Sequence, residues 1–105
     1  MTIDMTIDWS RMITSPDQAA ADLLARRAKM VCSRLQGRLT LGPEVCARLD
    51  TMAADPDTPW AMRETIANAR EWRRLSQTID ELSWIVGFSA EQMDMLFEQA
   101  MTVAV

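Results

Sequence analysis

The glycines and prolines of this chain are few, and their positions constrain its fold more than any other feature. The 105 residues include three glycines and four prolines, and the segments between them carry apolar residues at helical spacing. This distribution disfavours a strand-and-turn architecture. We therefore predict an all-α fold, a compact bundle of about four helices that forms a single helical domain over residues 15–105. Residues 1–14 show no helical period and are predicted to form a short N-terminal arm.

Two Xaa-Pro pairs mark the starts of the first two helices. At Ser15-Pro16 the serine is a preferred N-cap and the proline suits the first helical position, and Gln18 completes a capping box. The first helix is predicted to run from this cap to Gly37. Its predicted apolar stripe, with spacings of four, four, three and four, consists of Ala20, Leu24, Ala28, Val31 and Leu35. A second, short amphipathic helix is predicted to follow Gly42-Pro43.

The remaining turn signals predict one long helix and one short helix. The segment Asp55–Pro59 holds two prolines and two aspartates, which break any helix. A long helix is then expected to run to Val86, with a break near Ser76 left open. Gly87 is expected to end it in the left-handed conformation, and Ser89 opens a last helix through a second capping box. The residues predicted to be buried on that last helix are Met93, Leu96, Phe97 and Ala100.

The residue types present exclude most enzyme chemistry. The chain has no histidine, which is the commonest general base and zinc ligand. No phosphate loop, dinucleotide fingerprint, nucleophile elbow or metal-binding helix motif is found. We therefore predict a non-enzymatic protein without cofactor or metal, with an enzyme based on carboxylates or a thiol as the alternative. Cys32 and Cys46 are predicted to be small buried apolar side chains, with a disulfide across a helical hairpin as the alternative.

Charge is distributed unevenly along the chain. The net charge is −4, from 11 basic and 15 acidic side chains. Residues 26–38 contain five basic side chains and no acid, whereas the acids that follow Arg74 are accompanied by no basic residue. The molecule is therefore predicted to be polarised, basic in the middle and acidic toward its end. No signal peptide or membrane span is recognised, which predicts a cytoplasmic protein with no membrane partner.

A tryptophan near the acidic end is the first candidate for partner binding. Trp60, Trp72 and Trp84 are twelve residues apart, so they cannot share one face of a helix. Trp72 belongs to the predicted core seam, whereas Trp84 is predicted to project beside Met62 and Ile66 on a second apolar strip. Either another helix covers this strip, or Trp84 belongs to a partner-binding patch, since tryptophan is enriched at interface hot spots.

Two charged sets are the other candidates. Glu91, Asp94 and Glu98, with spacings of three and four, are predicted to line one face of the last helix. This face is either solvated or a recognition surface for a basic groove. The rival set, predicted to lie on one side of the first helix, is Arg27, Arg34 and Arg38.

The basic set is not expected to bind nucleic acid directly. Arginine suits phosphate recognition, but the chain as a whole is acidic and the basic stretch holds no aromatic residue to stack on a base. We therefore interpret the set as a solvated face. The alternative is that it binds an acidic surface of another protein. Our leading hypothesis is an acidic interface formed by Trp84, Glu91, Asp94 and Glu98. The apolar seam of the long helix leaves a homodimer open.

Three segments of the chain resemble small helical proteins encoded by phages and prophages of bacteria. Residues 7–14 precede an alanine- and arginine-rich helix, and the later segments read "WAMRETIANAREWRR" and "GFSAEQMDMLFEQA". The resemblance extends over most of the chain but includes no catalytic motif. It implies a small accessory protein of a mobile element.

That resemblance implies two alternative functions. One is an anti-CRISPR-like inhibitor that acts in the host cytoplasm and masks a nucleic-acid-binding surface of a host complex. The other is a structural or assembly accessory of the phage tail or tail fibre, which would be associated with the virion. The acidic C-terminal third favours the inhibitor as the leading hypothesis.

Overall fold

The computed structural model describes residues 16–105, which form six helices and one two-stranded sheet. In chain order the elements are α1 (residues 16–28), β1 (Val31–Ser33), α2 (Arg34–Leu41), α3 (Pro43–Ala54), α4 (Trp60–Ala67), β2 (Glu71–Arg73), α5 (Gln77–Val86) and α6 (Ala90–Met101). The prediction of a mostly helical fold is confirmed, whereas the predicted count of about four helices is too low. The predicted arm, residues 1–14, and the Ser15 cap lie outside the described residues.

The extra helices arise because a pair of short strands interrupts two of the predicted helices. Strands β1 and β2 pair antiparallel, with Cys32 opposite Trp72. The backbone N–H of Arg74 donates to the Met30 carbonyl, and that of Arg34 donates to the Arg70 carbonyl, which extends the pairing beyond the strands. The predicted first helix therefore ends at residue 28 and resumes as α2, and the predicted long helix divides into α4 and α5.

The helix starts and stops follow the capping signals closely. Ser33 caps α2 and Ser89 caps α6, each through a capping box with the glutamine three residues later. Ser76 caps α5, at the place where a break was left open. Gly87 ends α5 in the left-handed conformation, as predicted. Pro43 lies in the first turn of α3, also as predicted.

Gly37 does not end a helix but lies buried inside α2. The six-membered ring of Trp72 packs directly over its α-carbon, and the sulfur of Cys32 lies beside it. The Trp72 indole N–H donates to the Thr65 carbonyl at 2.8 Å, which fixes the ring against α4. The absence of a side chain at position 37 is therefore what allows β2 to approach α2 this closely.

The core joins the sheet to helices α3, α4, α5 and α6. Its most deeply buried large side chains are Phe97 and Ile66, each 1% exposed. The other buried apolar members are Met30, Cys32, Leu49, Met62, Trp72, Ile79, Leu82, Met93 and Ala100. The prediction for α6 is confirmed, since Met93, Phe97 and Ala100 are buried and Leu96 packs against the core. Within residues 16–105, no helix is both long enough and apolar enough to cross a membrane.

Replacing Gly37 with alanine should strongly destabilise the fold. The new β-carbon would overlap the Trp72 ring, and overpacking of this kind costs about 3 kcal/mol when the ring cannot move. We expect the free energy of unfolding, measured by urea denaturation, to fall by about this amount. A double variant that also carries Trp72→Phe should show less than the sum of the two single losses, because the shorter ring leaves room. Strict additivity would contradict the contact.

Candidate interaction surface

A carboxylate on α6 ties together three parts of the fold. Asp94 is only 7% exposed. Its two oxygens accept hydrogen bonds from Nε and Nη2 of Arg27, at 2.9 and 2.8 Å. One of them also accepts a bond from Nε of the buried Arg74, at 2.9 Å. Arg27 lies in the last turn of α1 and Arg74 directly follows β2, so Asp94 joins both of these elements to α6.

The two arginines favour the ionised form of this carboxylate. The hydrogen bonds from Arg27 hold the pKa of Asp94 below its ordinary value, and the positive charges of Arg27 and Arg74 act in the same direction against the opposing effect of burial. The hydrogen bonds to Asp94 likewise raise the pKa of the Arg27 guanidinium. Asp94 therefore stabilises the fold at pH values above the ordinary pKa of an aspartate and loses that contribution as the pH falls through its lowered pKa.

This arrangement corrects the expectation that Asp94 lies on an exposed acidic face with Glu91 and Glu98. Glu91 and Glu98 are exposed, as expected, but Asp94 faces inward and its charge is neutralised by two arginines. The physical reason is the position of α1, whose last turn brings Arg27 against this side of α6. Asp94 cannot present its carboxylate to a partner while these bonds are intact.

Trp84 is the most exposed large apolar side chain among the described residues, with 79% of its surface accessible. It does not share a strip with Met62 and Ile66, which are both buried in the core. Of the strip that another helix was expected to cover, Met62 and Ile66 are covered, whereas no helix among residues 16–105 covers Trp84. Its helical neighbours three and four residues earlier, Glu81 and Asp80, are exposed acids.

The exposed sides of α5 and α6 each present acids and large apolar side chains. The name acidic surface is used below for these exposed residues, which are Asp80, Glu81, Trp84 and Ile85 on α5 and Glu91 and Met95 on α6. Ile85 is 52% exposed and Met95 is 69% exposed. No basic residue occurs after Arg74. The acidic surface therefore combines a negative charge with apolar side chains that have not been buried by folding.

Glu98 differs from the other exposed acids in its surroundings. It lines an open groove of about 570 Å³ together with Arg26 and Lys29, at the end of α1. Met30 and Met101 also line this groove. Two basic side chains therefore share this groove with Glu98, whereas the helix that carries Trp84 has no basic residue.

The predicted basic face is not a single face. Arg27 lies on α1, whereas Arg34 and Arg38 lie on α2 beyond the β1 strand. Each guanidinium is already used within the fold: Arg34 donates to the Ala67 carbonyl, and Arg38 forms a two-pronged pair with Asp50 at 2.9 and 3.0 Å. The prediction that the three arginines align is wrong because β1 separates them.

Neither cysteine forms a disulfide, and both are buried, as the leading interpretation predicted. Burial raises the pKa of the Cys32 thiol to about 11 and also raises that of Cys46. The Cys46 thiol donates a weak hydrogen bond to the Arg38 carbonyl. Both side chains therefore act as small apolar groups in the core.

The core contains a small apolar cavity rather than a substrate-sized site. It measures about 40 Å³ and is lined mainly by core side chains such as Ile66, Leu82 and Phe97. Small-molecule pockets are typically about 300 Å³ or larger. Among residues 16–105, no group of three or more acidic or cysteine side chains is placed to hold a metal ion.

No protein-family model, curated protein or solved structure matches this chain. The resemblance to phage and prophage proteins therefore stays a prediction made from the sequence.

Several of the residues that define the site were missed by sequence reasoning. Arg74 was treated only as the end of the basic part of the chain, and Glu81, Ile85 and Met95 were not singled out. The available signal was the three- and four-residue spacing on α5, because Ile79, Leu82 and Val86 mark the inner side and so place Glu81 and Ile85 on the outer side. Nothing local to Arg74 indicates that its partner lies twenty residues away.

Replacing Asp94 with asparagine should lower stability in a pH-dependent way. Removing one member of a buried ion pair leaves unpaired charge and costs about 3 kcal/mol, so the variant should lose about this much unfolding free energy at pH 7. The loss should shrink as the pH falls through the lowered pKa of Asp94, because the wild-type carboxylate is then protonated too. Urea denaturation from neutral pH to about pH 2.5 measures the difference.

A matched control is Asp50→Asn, because Asp50 forms the same two-pronged pair with Arg38 but is 57% exposed. Surface pairs contribute about 1 kcal/mol or less, so this variant should change stability far less. If the two variants lost the same stability, or if the Asp94→Asn loss did not change with pH, Asp94 would not have the role assigned to it.

The cysteines should be unreactive in the folded protein. At pH 8 very little of a thiol with a pKa of about 11 is ionised, and both side chains are buried. Neither should react with a thiol reagent within minutes under native conditions, and both should react once urea unfolds the chain. Rapid native labelling of Cys32 would contradict its placement in the core.

Proposed function

We propose that this protein is a non-enzymatic binding module that docks on a basic surface of another protein through its acidic surface. The observation that carries this proposal is Trp84, which is 79% exposed and flanked on α5 by the exposed acids Asp80 and Glu81. A large apolar side chain surrounded by charges of one sign is typical of an interaction site.

The energetic reason is that folding leaves Trp84 in water. Tryptophan buries about 150–250 Å² when it is covered, and each Å² of apolar area removed from water contributes about 25 cal/mol. A partner that covers Trp84, Ile85 and Met95 gains this energy, whereas no element in the described part of the chain does so. Trp84 therefore has the properties of an interface anchor.

The acids supply selectivity and orientation. Exposed charges around an apolar anchor contribute mainly by steering complementary partners and by excluding surfaces of the same sign. Because α5 and α6 carry no basic side chain, they repel acidic surfaces and nucleic acid and attract basic surfaces. The internal neutralisation of Asp94 does not weaken this effect, since the exposed acids lie elsewhere.

A nucleic-acid-binding groove of a host protein complex fits this surface. Such a groove is basic because it neutralises phosphates, and an acidic protein that occupies it prevents nucleic acid from entering. We therefore propose an inhibitor encoded by a phage or mobile element, in line with the resemblance of the sequence. The acidic surface and the exposed tryptophan support this role through chemistry that a purely structural accessory would not require.

The proposal is tested with variants of the acidic surface used as bait in a bacterial lysate. Wild-type protein should capture a specific host protein, whereas Trp84→Ala and Glu81→Lys should each lose most of it. For the purified pair, the affinity of the wild type should fall as salt rises, and Glu81→Lys should flatten that dependence. Glu98→Lys should have a smaller effect, since Glu98 lines a separate groove that it shares with Arg26 and Lys29.

The matched control is Trp60→Ala, because Trp60 is 69% exposed but lies on α4, which carries none of the residues of the acidic surface. It should capture the same partner as the wild type. A partner that was retained by Trp84→Ala and lost by Trp60→Ala, or binding of duplex DNA by the wild-type protein in a mobility-shift assay, would overturn the proposed function.

A further inference from the structure

The exposed side of α5 places Trp84 between two acids. At 100° per residue, Trp84 lies about 40° around the helix from Asp80 on one side and about 60° from Glu81 on the other. All three side chains are exposed. The buried Ile79 and Leu82 mark the inner side of the helix, about 140° or more from Trp84. The tryptophan and both carboxylates therefore share one face of a single helix.

We expect the indole of Trp84 to lie close to both acids. Aromatic side chains on helices lean toward the preceding turn, over the residues three and four positions earlier. For Trp84 these residues are Glu81 and Asp80. Side chains at these spacings are neighbours on a helix surface, with about 5–6 Å between their β-carbons. A flat aromatic surface and two negative charges thus occur within one turn of α5.

Neither of these carboxylates forms an ion pair within the described part of the chain. Glu81 accepts a hydrogen bond from the uncharged amide of Gln77 at 3.0 Å, which leaves its negative charge in place. The pKa of Arg27 is raised mainly by its hydrogen bond to Asp94, with a smaller effect from the charge of Asp80. Because the guanidinium of Arg27 is bound elsewhere, the exposed face of α5 keeps two carboxylates for a cation that comes from outside.

A guanidinium group matches this combination better than an ammonium group does. It is planar and weakly hydrated, so it stacks on an aromatic ring while the N–H groups at its edge donate to carboxylates. The lysine ammonium is a compact, strongly hydrated point charge without a flat face. We propose that α5 recognises an arginine of the partner, stacked on the Trp84 indole and hydrogen-bonded to Asp80 or Glu81.

This inference rests on the proposed function, because it names the side chain that the basic surface of the partner presents to Trp84. Surfaces that bind phosphates use arginine for its planar, two-pronged hydrogen bonding. A face of α5 that selects arginine therefore favours such surfaces over lysine-rich surfaces of the same charge. Preference for arginine over lysine is the property that attraction by charge alone does not produce.

The test compares two peptides of equal charge, Gly-Arg-Gly-Arg-Gly and Gly-Lys-Gly-Lys-Gly, blocked at both ends and titrated into the full chain. NMR gives an indole N–H signal for each of the four tryptophans. The Trp84 signal should shift with an affinity about fivefold tighter for the arginine peptide. Trp60 is the internal control, since it is 69% exposed but has the basic Arg63 three residues later on α4. Its signal should shift little with either peptide.

Substitutions on α5 separate the aromatic contribution from the contribution of charge. Trp84→Leu keeps an apolar side chain but loses the aromatic face, so it should bind both peptides equally, whereas Trp84→Phe should keep part of the preference. Backbone amide signals of α5 report binding in these variants. Asp80→Asn/Glu81→Gln should weaken binding of the arginine peptide about tenfold. Its matched control, Glu44→Gln/Asp57→Asn, removes the same charge from exposed acids outside α5 and should bind as the wild type does.

Three results would each overturn the inference: equal affinity of the wild type for the two peptides, an equal shift of the Trp60 signal, or a preference for arginine that survives Trp84→Leu. Equal affinity for both peptides would still be compatible with docking by charge, and so with the proposed function. The proposed function is overturned instead by the lysate and DNA experiments, whose results do not depend on these peptides. Circular dichroism checks that every variant is folded.

Discussion

The hydrogen bonds between Asp94 and two arginines are the contact on which the arrangement of the whole fold depends. A carboxylate at 7% exposure is costly to desolvate unless its oxygens are paired. Arg74 supplies one partner from the end of β2 and Arg27 supplies the other from the last turn of α1. Since the local sequence of α6 provides neither, the helix can bury this side only when α1 and β2 are both in place. The cluster thus couples three segments that are far apart in the chain.

The same contact determines which charges remain on the surface. One acid of α6 is neutralised inside the fold, whereas the outer acids of α5 and α6 keep their full charge around Trp84. On the basic side, Arg27, Arg38 and Arg74 are all committed to carboxylates within the chain. The basic part of the molecule therefore has less unpaired positive charge than the number of its basic residues indicates. The acidic surface is the more distinctive feature.

Capping and turn residues predicted much of the helical structure, because they act on neighbouring residues. Contacts between distant segments have no such local sequence pattern. The caps at Ser76 and Ser89 and the left-handed Gly87 depend on neighbouring residues alone, and they were predictable for that reason. The split of the first helix depends on the pairing of Cys32 with Trp72 across forty residues. The sequence predicts a helix end at Gly37, because the role of this glycine in making room for the Trp72 ring follows only from the tertiary fold.

The direction of Asp94 likewise depends on a distant contact that the spacing within its own helix does not reveal. Asp94 lies at the border of the apolar stripe of α6, about 60° around the helix from Phe97 and about 40° from Glu98. A residue at such a border can face either the core or the solvent, and spacing alone groups it equally well with the acids on one side. What decides its direction is whether a cation is available to pair with it inside. That cation is Arg27, and its position depends on how α1 packs. The outward direction of Glu91 needs no such partner, which is why the sequence predicted it correctly. The sequence misplaced Asp94, and it grouped the exposed Trp84 with Met62 and Ile66, which are buried.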